Sequence, residues 1–181
     1  MSTTANKQVW TIDALHSSID FKVKHLMINT VTGKFKTFTA SVENTKEDFT
    51  DAKISFAADI ASIETGMEAR DNHLKSDDFF NAEKYPQLKF ESTSFEKTGD
   101  NTYKLNGNIT IRETTKPISL DVEYGGQMVD FYGNTKAGFE INGKLKRKEF
   151  GLSWDAVTEA GGVVVSDEVK LHLNVQLQLV K

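Results

Sequence analysis

Apolar and polar residues alternate along most of this chain, most cleanly at its end. Val169, Leu171, Leu173, Val175, Leu177 and Leu179 fall on one side of an extended segment, and Lys170, His172, Asn174, Gln176 and Gln178 fall on the other. A period of two marks a β-strand with one buried face. The same pattern predicts strands at residues 9–13, at Ile19, Phe21 and Val23, and at Ile54, Phe56, Ala58 and Ile60. It recurs at Leu88, Phe90 and Ser92, at Tyr103, Leu105, Gly107, Ile109 and Ile111, at Ile118 to Tyr124, and at Phe139, Ile141 and Leu145. His25 continues the inward phase of its strand. Residues 31–44 have high β propensity, but their phase switches near Thr37, which predicts a bulge. Gly99-Asp100-Asn101 and Gly125-Gly126 read as turns, residues 47–51 as a polar loop, and 154–162 as an irregular loop. Residues 1–7 read as a frayed polar end. Gly107, in phase inside its strand, marks a place where a side chain would crowd a bend or a ligand, and Gly143 reads the same way.

One stretch breaks this pattern. Residues 64–86 read as helical. Thr65-Gly66-Met67-Glu68 fits a capping box, in which the Thr65 hydroxyl and the Glu68 carboxylate each accept from the other's backbone N–H. Met67, Arg70 and Leu74 then share one helix face. A second short turn starts at Ser76, with Asp77 and Asp78 favourable in its first turn and Phe79 and Phe80 docking it. Pro86 ends the helical region at Tyr85. Arg70, Asp71 and His73 form the densest group of polar candidates. Their spacing fits either a functional cluster or a solvated surface helix whose charges satisfy one another.

Eight or more half-buried strands imply an antiparallel barrel or sandwich. The eleven residues of the last strand span roughly 36 Å at about 3.3 Å each. An eight-stranded barrel is either filled by its own side chains or holds one small ligand. Lining a cavity rather than packing it forfeits part of the roughly 1.5–3 kcal/mol per large buried side chain, so a cavity implies a use. Periodicity alone does not separate the two.

Charge and composition narrow the functions. A net charge of −4 and scattered lysines and arginines argue against nucleic acid as a partner. The absence of cysteine excludes disulfides and thiolate metal sites. No apolar run exceeds three residues, which excludes a membrane-spanning helix. The start has no apolar core of a signal peptide, so a cytoplasmic location is expected. His16, His25, His73 and His172 never pair at i, i+4, and a metal site built from the first three is a weak reading. No nucleophile elbow, phosphate loop or His-Glu-x-x-His occurs, so neither catalysis nor a metal or cofactor is expected.

Several motifs appear in a particular order: Trp10-x-x-Asp13-x-x-His16-Ser17, Phe21-x-Val23-x-His25, Gly33-x-Phe35, Arg70-Asp71-x-His73-Leu74, Phe79-Phe80, Tyr85-Pro86-x-x-x-Phe90, Gly107-x-Ile109-Thr110-Ile111 and Phe150-Gly151. In this order, over about residues 8–180, the chain resembles the YceI-like family of polyisoprenoid-binding, lipocalin-like proteins. The resemblance implies an all-β fold: an extended eight-stranded antiparallel barrel with a short helical insertion at about residues 65–85, in one domain over residues 8–181. It implies an apolar cavity for a long isoprenoid or fatty chain. Arg70 and His73 match motif positions near the cavity mouth, where they meet a lipid head group or brace the helix. The alternation supplies the expected lining: Phe21, Val23, Phe35, Phe56, Ile60, Phe90, Ile109, Leu120, Phe139 and Leu173. The chain departs from the family where Glu113-Thr114 follow Ile109-Thr110-Ile111-Arg112 in place of Gly-Val. Arg147-Lys148-Glu149-Phe150-Gly151 is a milder change. Many relatives are periplasmic. The expected function is non-enzymatic binding of an apolar lipid, compatible with homodimerisation. The alternatives are a ligand-free assembly module and an enzyme.

Overall fold

The computed structural model describes residues 6–26, 28–154 and 165–181. Residues 1–5 of the expected frayed end, and all but Trp154 of the expected loop at 154–162, lie outside the described residues. The strands are β1 (Gln8–Ile12), β2 (Ser18–His25), β3 (Asn29–Phe35), β4 (Phe38–Asn44), β5 (Lys53–Asp59), β6 (Ile63–Glu64), β7 (Gln87–Lys97), β8 (Thr102–Ile111), β9 (Thr114–Val129), β10 (Thr135–Lys146) and β11 (Val165–Leu179), with one helix, α1 (Glu68–Lys75). All pairings are antiparallel, and they close into an eight-stranded barrel. Two of the eight staves are interrupted strands. β1 and β2 run as one along β11, and β3 and β4 run as one beside them.

Asp13 holds the first interruption. Its N–H donates to the Gln176 carbonyl (2.8 Å), and its carboxylate accepts from Lys136 Nζ (2.7 Å) and meets His16 Nδ1 (2.8 Å). The second interruption is a strand break at Lys36-Thr37, where a bulge was expected. It leaves Phe35 and Phe38 both buried, one on each side of the break.

Phase shifts elsewhere rearrange other expectations. A bulge between Ser92 and Ser94 brings Phe95 inward with Phe90, although the two differ in parity. Gly125-Gly126 is not a turn. β9 runs through it with a register shift against Gly138 and Phe139, Gly126 takes φ +105, and the chain reverses at Asp130–Asn134. Ile60 leaves the β5 pattern for a 3₁₀ turn, Ile60–Ser62.

The barrel's lower end is closed by aromatic rings. Residues 47–51, expected as a polar loop, carry Phe49 into the interior, where it is 1% exposed. Its ring meets Trp10 at 5.5 Å, Phe139 at 5.4 Å and Tyr124 at 5.8 Å. Phe95 and Tyr103 stack beside them at 4.4 Å. Phe49 sits at φ +64, unfavourable for a bulky residue. The surrounding loop over-determines it: Asp51 accepts from the N–H groups of Thr45 and Lys46, Asp48 accepts from Thr50, and Tyr103 donates to the Asp48 carbonyl (2.8 Å). Burial pushes the Tyr103 and Tyr124 hydroxyls above their ordinary pKa.

Phe49→Ala keeps the strained backbone and removes the ring, so it is expected to cost about 3–5 kcal/mol in urea denaturation. The Lys136 hydrogen bond, aided by His16, holds Asp13 down at a pKa of about 2. A carboxylate whose pKa is lowered on folding stabilises the protein above its unfolded value near 3.8, and that contribution is lost as pH falls toward 2. Asp13→Asn is therefore expected to lower Tm at pH 7 and to flatten its fall between about pH 4 and 2.

Candidate functional site

The apolar faces of the staves surround a cavity of about 490 Å³. Lining positions follow β11 from Val169 to Leu177. That stretch runs about 26 Å at about 3.3 Å per residue, or roughly 20 Å along the axis at a tilt near 40°. The cavity has the length and apolar lining to take a hydrocarbon chain at carbon contact distances of about 3.5–4.0 Å.

Phe21, Val23, Phe35, Phe56, Phe90, Ile109, Leu120, Phe139 and Leu173 all lie on the cavity wall, as do Arg70 and His73. Ile60 does not. The 3₁₀ turn after β5 places it in a second cluster with Phe38, Ala58 and Ile63. Three of the wall residues lie sideways over glycines. A Cβ on Gly33 would overlap the Phe21 ring, one on Gly107 the Phe90 ring, and one on Gly143 the end of Leu120. These glycines let large side chains lie against the wall instead of meeting across the bore. Gly107 and Gly143 are crowded positions as expected, but by the Phe90 ring and the Glu91 carbonyl at Gly107 and by Leu120 at Gly143.

The upper end is polar and less covered. β5 stops at Asp59, while β3 continues past it, paired on that side only with β6 at Lys34 and Phe35. Residues 60–86 fill the resulting gap between β3 and β7. Ile60 N–H donates to the Pro86 carbonyl (2.9 Å), and Phe80 packs edge-on to Phe35 at 6.1 Å. The capping box at Thr65 does not form. Met67 is the N-cap, with no side-chain cap bond, and Thr65 turns to other partners. Its N–H and hydroxyl both donate to the Asp71 carboxylate (2.8 and 2.5 Å). Asp71 reaches this N–H because the chain doubles back over Gly66, at φ +88. Arg70 then donates from Nε to the Thr65 hydroxyl and from Nη2 to its carbonyl, both at 2.7 Å. A guanidinium has five N–H donors, so Arg70 keeps capacity for an acceptor at the cavity.

Met67, Arg70, His73 and Leu74 all face the cavity. His73 Nε2 meets Asp78 Oδ2 at 2.8 Å, and its ring stands edge-on to Phe79 (5.1 Å) and Trp154 (4.8 Å). Two further arginines, absent from the expected site, hold this end together. Arg112 donates to the carbonyls of Asp77 and Phe79 and to the Asp77 carboxylate. The buried Arg147 donates to the carbonyls of Leu152 and Trp154 (both 2.7 Å), Ser166 (2.9 Å) and Val165 (3.2 Å), joining the end of β10 to the start of β11. Its signal in the sequence was its phase, two residues beyond inward-facing Leu145. The histidines are dispersed, His16 to Asp13, His73 to Asp78 and His172 to Asn142. Among the described residues, no group of three or more His, Asp or Glu is placed to hold a metal ion.

Comparison with known proteins agrees with this geometry. A UPF0312 protein of Serratia proteamaculans is 40% identical over 140 residues, covering 77% of this chain and 72% of the relative. A Campylobacter jejuni YceI protein of known crystal structure is 34% identical, superposes with a TM-score of 0.72 and covers 98% of both chains. A polyisoprenoid binding domain from Saccharophagus degradans, implicated in plant cell wall breakdown, shares the fold, with a TM-score of 0.65 at 14% identity over 93% of this chain and 97% of that one. The sequence profile of the YceI-like domain matches residues 10–177, almost the whole barrel, and this chain belongs to that family.

Proposed function

We propose that the barrel binds and carries one long apolar lipid, a polyisoprenoid or a fatty acid or amide, without acting chemically on it. The observation that carries this reading is the shape and polarity of the cavity: a long bore, apolar from its aromatic floor upward, with Arg70 and His73 at its upper end. Each methylene withdrawn from water is worth about 0.8 kcal/mol, so a chain of about twenty carbons gains on the order of 16 kcal/mol before the cost of ordering it. The polar end then needs to satisfy only one head group, and Arg70 has the donors for an acceptor there. The Saccharophagus domain supports the ligand class by its description. Carriage rather than catalysis is supported by the absence of a Ser–His pair between Ser76 and His73. His73 pairs with Asp78, and the nearby Ser76 hydroxyl donates to the His73 carbonyl rather than to its ring.

Native mass spectrometry of the purified protein, followed by organic extraction, is expected to show a hydrophobic adduct released on denaturation. Added isoprenoid or fatty ligand is expected to raise Tm, as any ligand of the folded state does. A clean protein mass together with an unmoved Tm would overturn the reading in favour of a ligand-free assembly module. Arg70→Ala is expected to leave the barrel folded and to weaken ligand retention by about tenfold, near 1.4 kcal/mol, for the loss of a charged hydrogen bond. Gly143→Ala pushes the flexible end of Leu120 toward the axis. It is expected to weaken binding of a full-length chain more than that of a shorter one, with circular dichroism unchanged.

A further inference from the structure

Resting on the carriage reading, we propose that the upper end of the barrel docks on a lipid surface, with the tip of the β2–β3 hairpin and the start of α1 as the contact. A long apolar chain bound in the bore has to enter and leave it, and passage through water would expose every methylene that binding had covered. A mouth that touches a bilayer removes that barrier. The upper end carries side chains suited to such a contact. Ile28 is 85% exposed and Leu26 40% exposed at the hairpin tip, and Met67 is 54% exposed at the N-cap of α1. Single exposed apolar residues need no explanation, but these three sit at the mouth. At the hairpin tip Leu26 takes φ +54, and the Ile28 N–H donates to the His25 carbonyl (3.2 Å).

The exposed patch is also continuous with the cavity. Val23 and His25, immediately before the tip, and Val31, just after it, line the bore, and Met67 belongs to both the exposed rim and the lining. The floor lining offers no such continuity, since Phe49, Ala52 and Phe95 are all buried. Charge around the mouth is mixed. Lys22 and Lys24 are exposed on β2, Glu113 accepts from the Tyr85 hydroxyl, and Asp77 and Asp78 pair with Arg112 and His73. The contact therefore depends on apolar side chains, and a zwitterionic surface suffices.

The test uses phosphatidylcholine vesicles, plain and with brominated acyl chains. The chain has two tryptophans, Trp154 at the mouth and Trp10 fully buried at the floor, so bromine quenching reports the upper end. Wild-type protein is expected to float with vesicles and to lose tryptophan fluorescence on the brominated ones, with little dependence on salt. Leu26→Ser with Ile28→Ser is expected to lower vesicle partitioning at least tenfold and to slow isoprenoid uptake from vesicles. Affinity for the same isoprenoid presented in detergent should be unchanged, since neither residue lines the bore. Phe131→Ser with Tyr132→Ser alters the exposed tip of the β9–β10 hairpin at the opposite end and is expected to change nothing. Failure of wild-type protein to float, or loss of flotation in the Phe131/Tyr132 variant alone, would overturn the docking proposal while leaving carriage intact. Flotation without uptake of any isoprenoid or fatty chain would overturn carriage, and with it the loading role of the docked mouth.

Discussion

The structure depends on β11 being bonded along both edges. One edge pairs with β10 from Lys136–Gln178 to Lys146–Glu168, and the other pairs with β2 and then β1. This double pairing turns a strip of strands into a ring. Closure gives every stave a neighbour on both sides over most of its length and forces the inward faces of all eight staves onto one axis. The bore is then the difference between the radius set by strand number and tilt and the reach of the side chains that point into it. Glycines at 33, 107 and 143 reduce that reach where it would otherwise be greatest, because Phe21, Phe90 and Leu120 fold down over them.

The ring is closed unequally at its two ends, and the inequality gives the cavity a direction. At the floor, the hydrogen-bonded loop after β4 drives Phe49 between Trp10, Tyr124 and Phe139, so the cavity ends on packed rings. At the top, the break between β3 and β4 and the early end of β5 leave a slot, and the insertion closes it with polar contacts. Thr65, Arg70 and Asp71 form one unit, and His73 and Asp78 form another. Arg112 and Arg147 bind carbonyls of the loops and strand ends at the rim. Buried backbone oxygens need donors, and at a barrel rim side chains supply them.

That division explains why polar residues at the mouth serve the fold before any ligand. Arg70 donates twice to Thr65, and Arg147 donates to backbone carbonyls of its own rim. A rim already shaped and charged by its own contacts lowers the ordering cost of recognising a polar group.

Period-two alternation is a local property of an extended chain with one dry face, so the sequence alone determined the strands, the inward sides of β8, β9 and β11, and most of the cavity wall. The family motifs added the barrel's closure and marked Arg70 and His73. The remainder is non-local. Phe95 joins Phe90 only because a bulge shifts the phase of β7, and Gly125-Gly126 continues β9 because β10 holds it. Phe49 looks like part of a polar loop until Trp10 and Phe139 meet around it. Thr65 abandons Glu68 because the turn at Gly66 brings Asp71 nearer, and Ile60 drops out of the wall because Pro86 captures its N–H. Whether the interior was filled or hollow was likewise decided only by tertiary structure, because a sequence records which residues face inward but not the radius of the ring in which they meet.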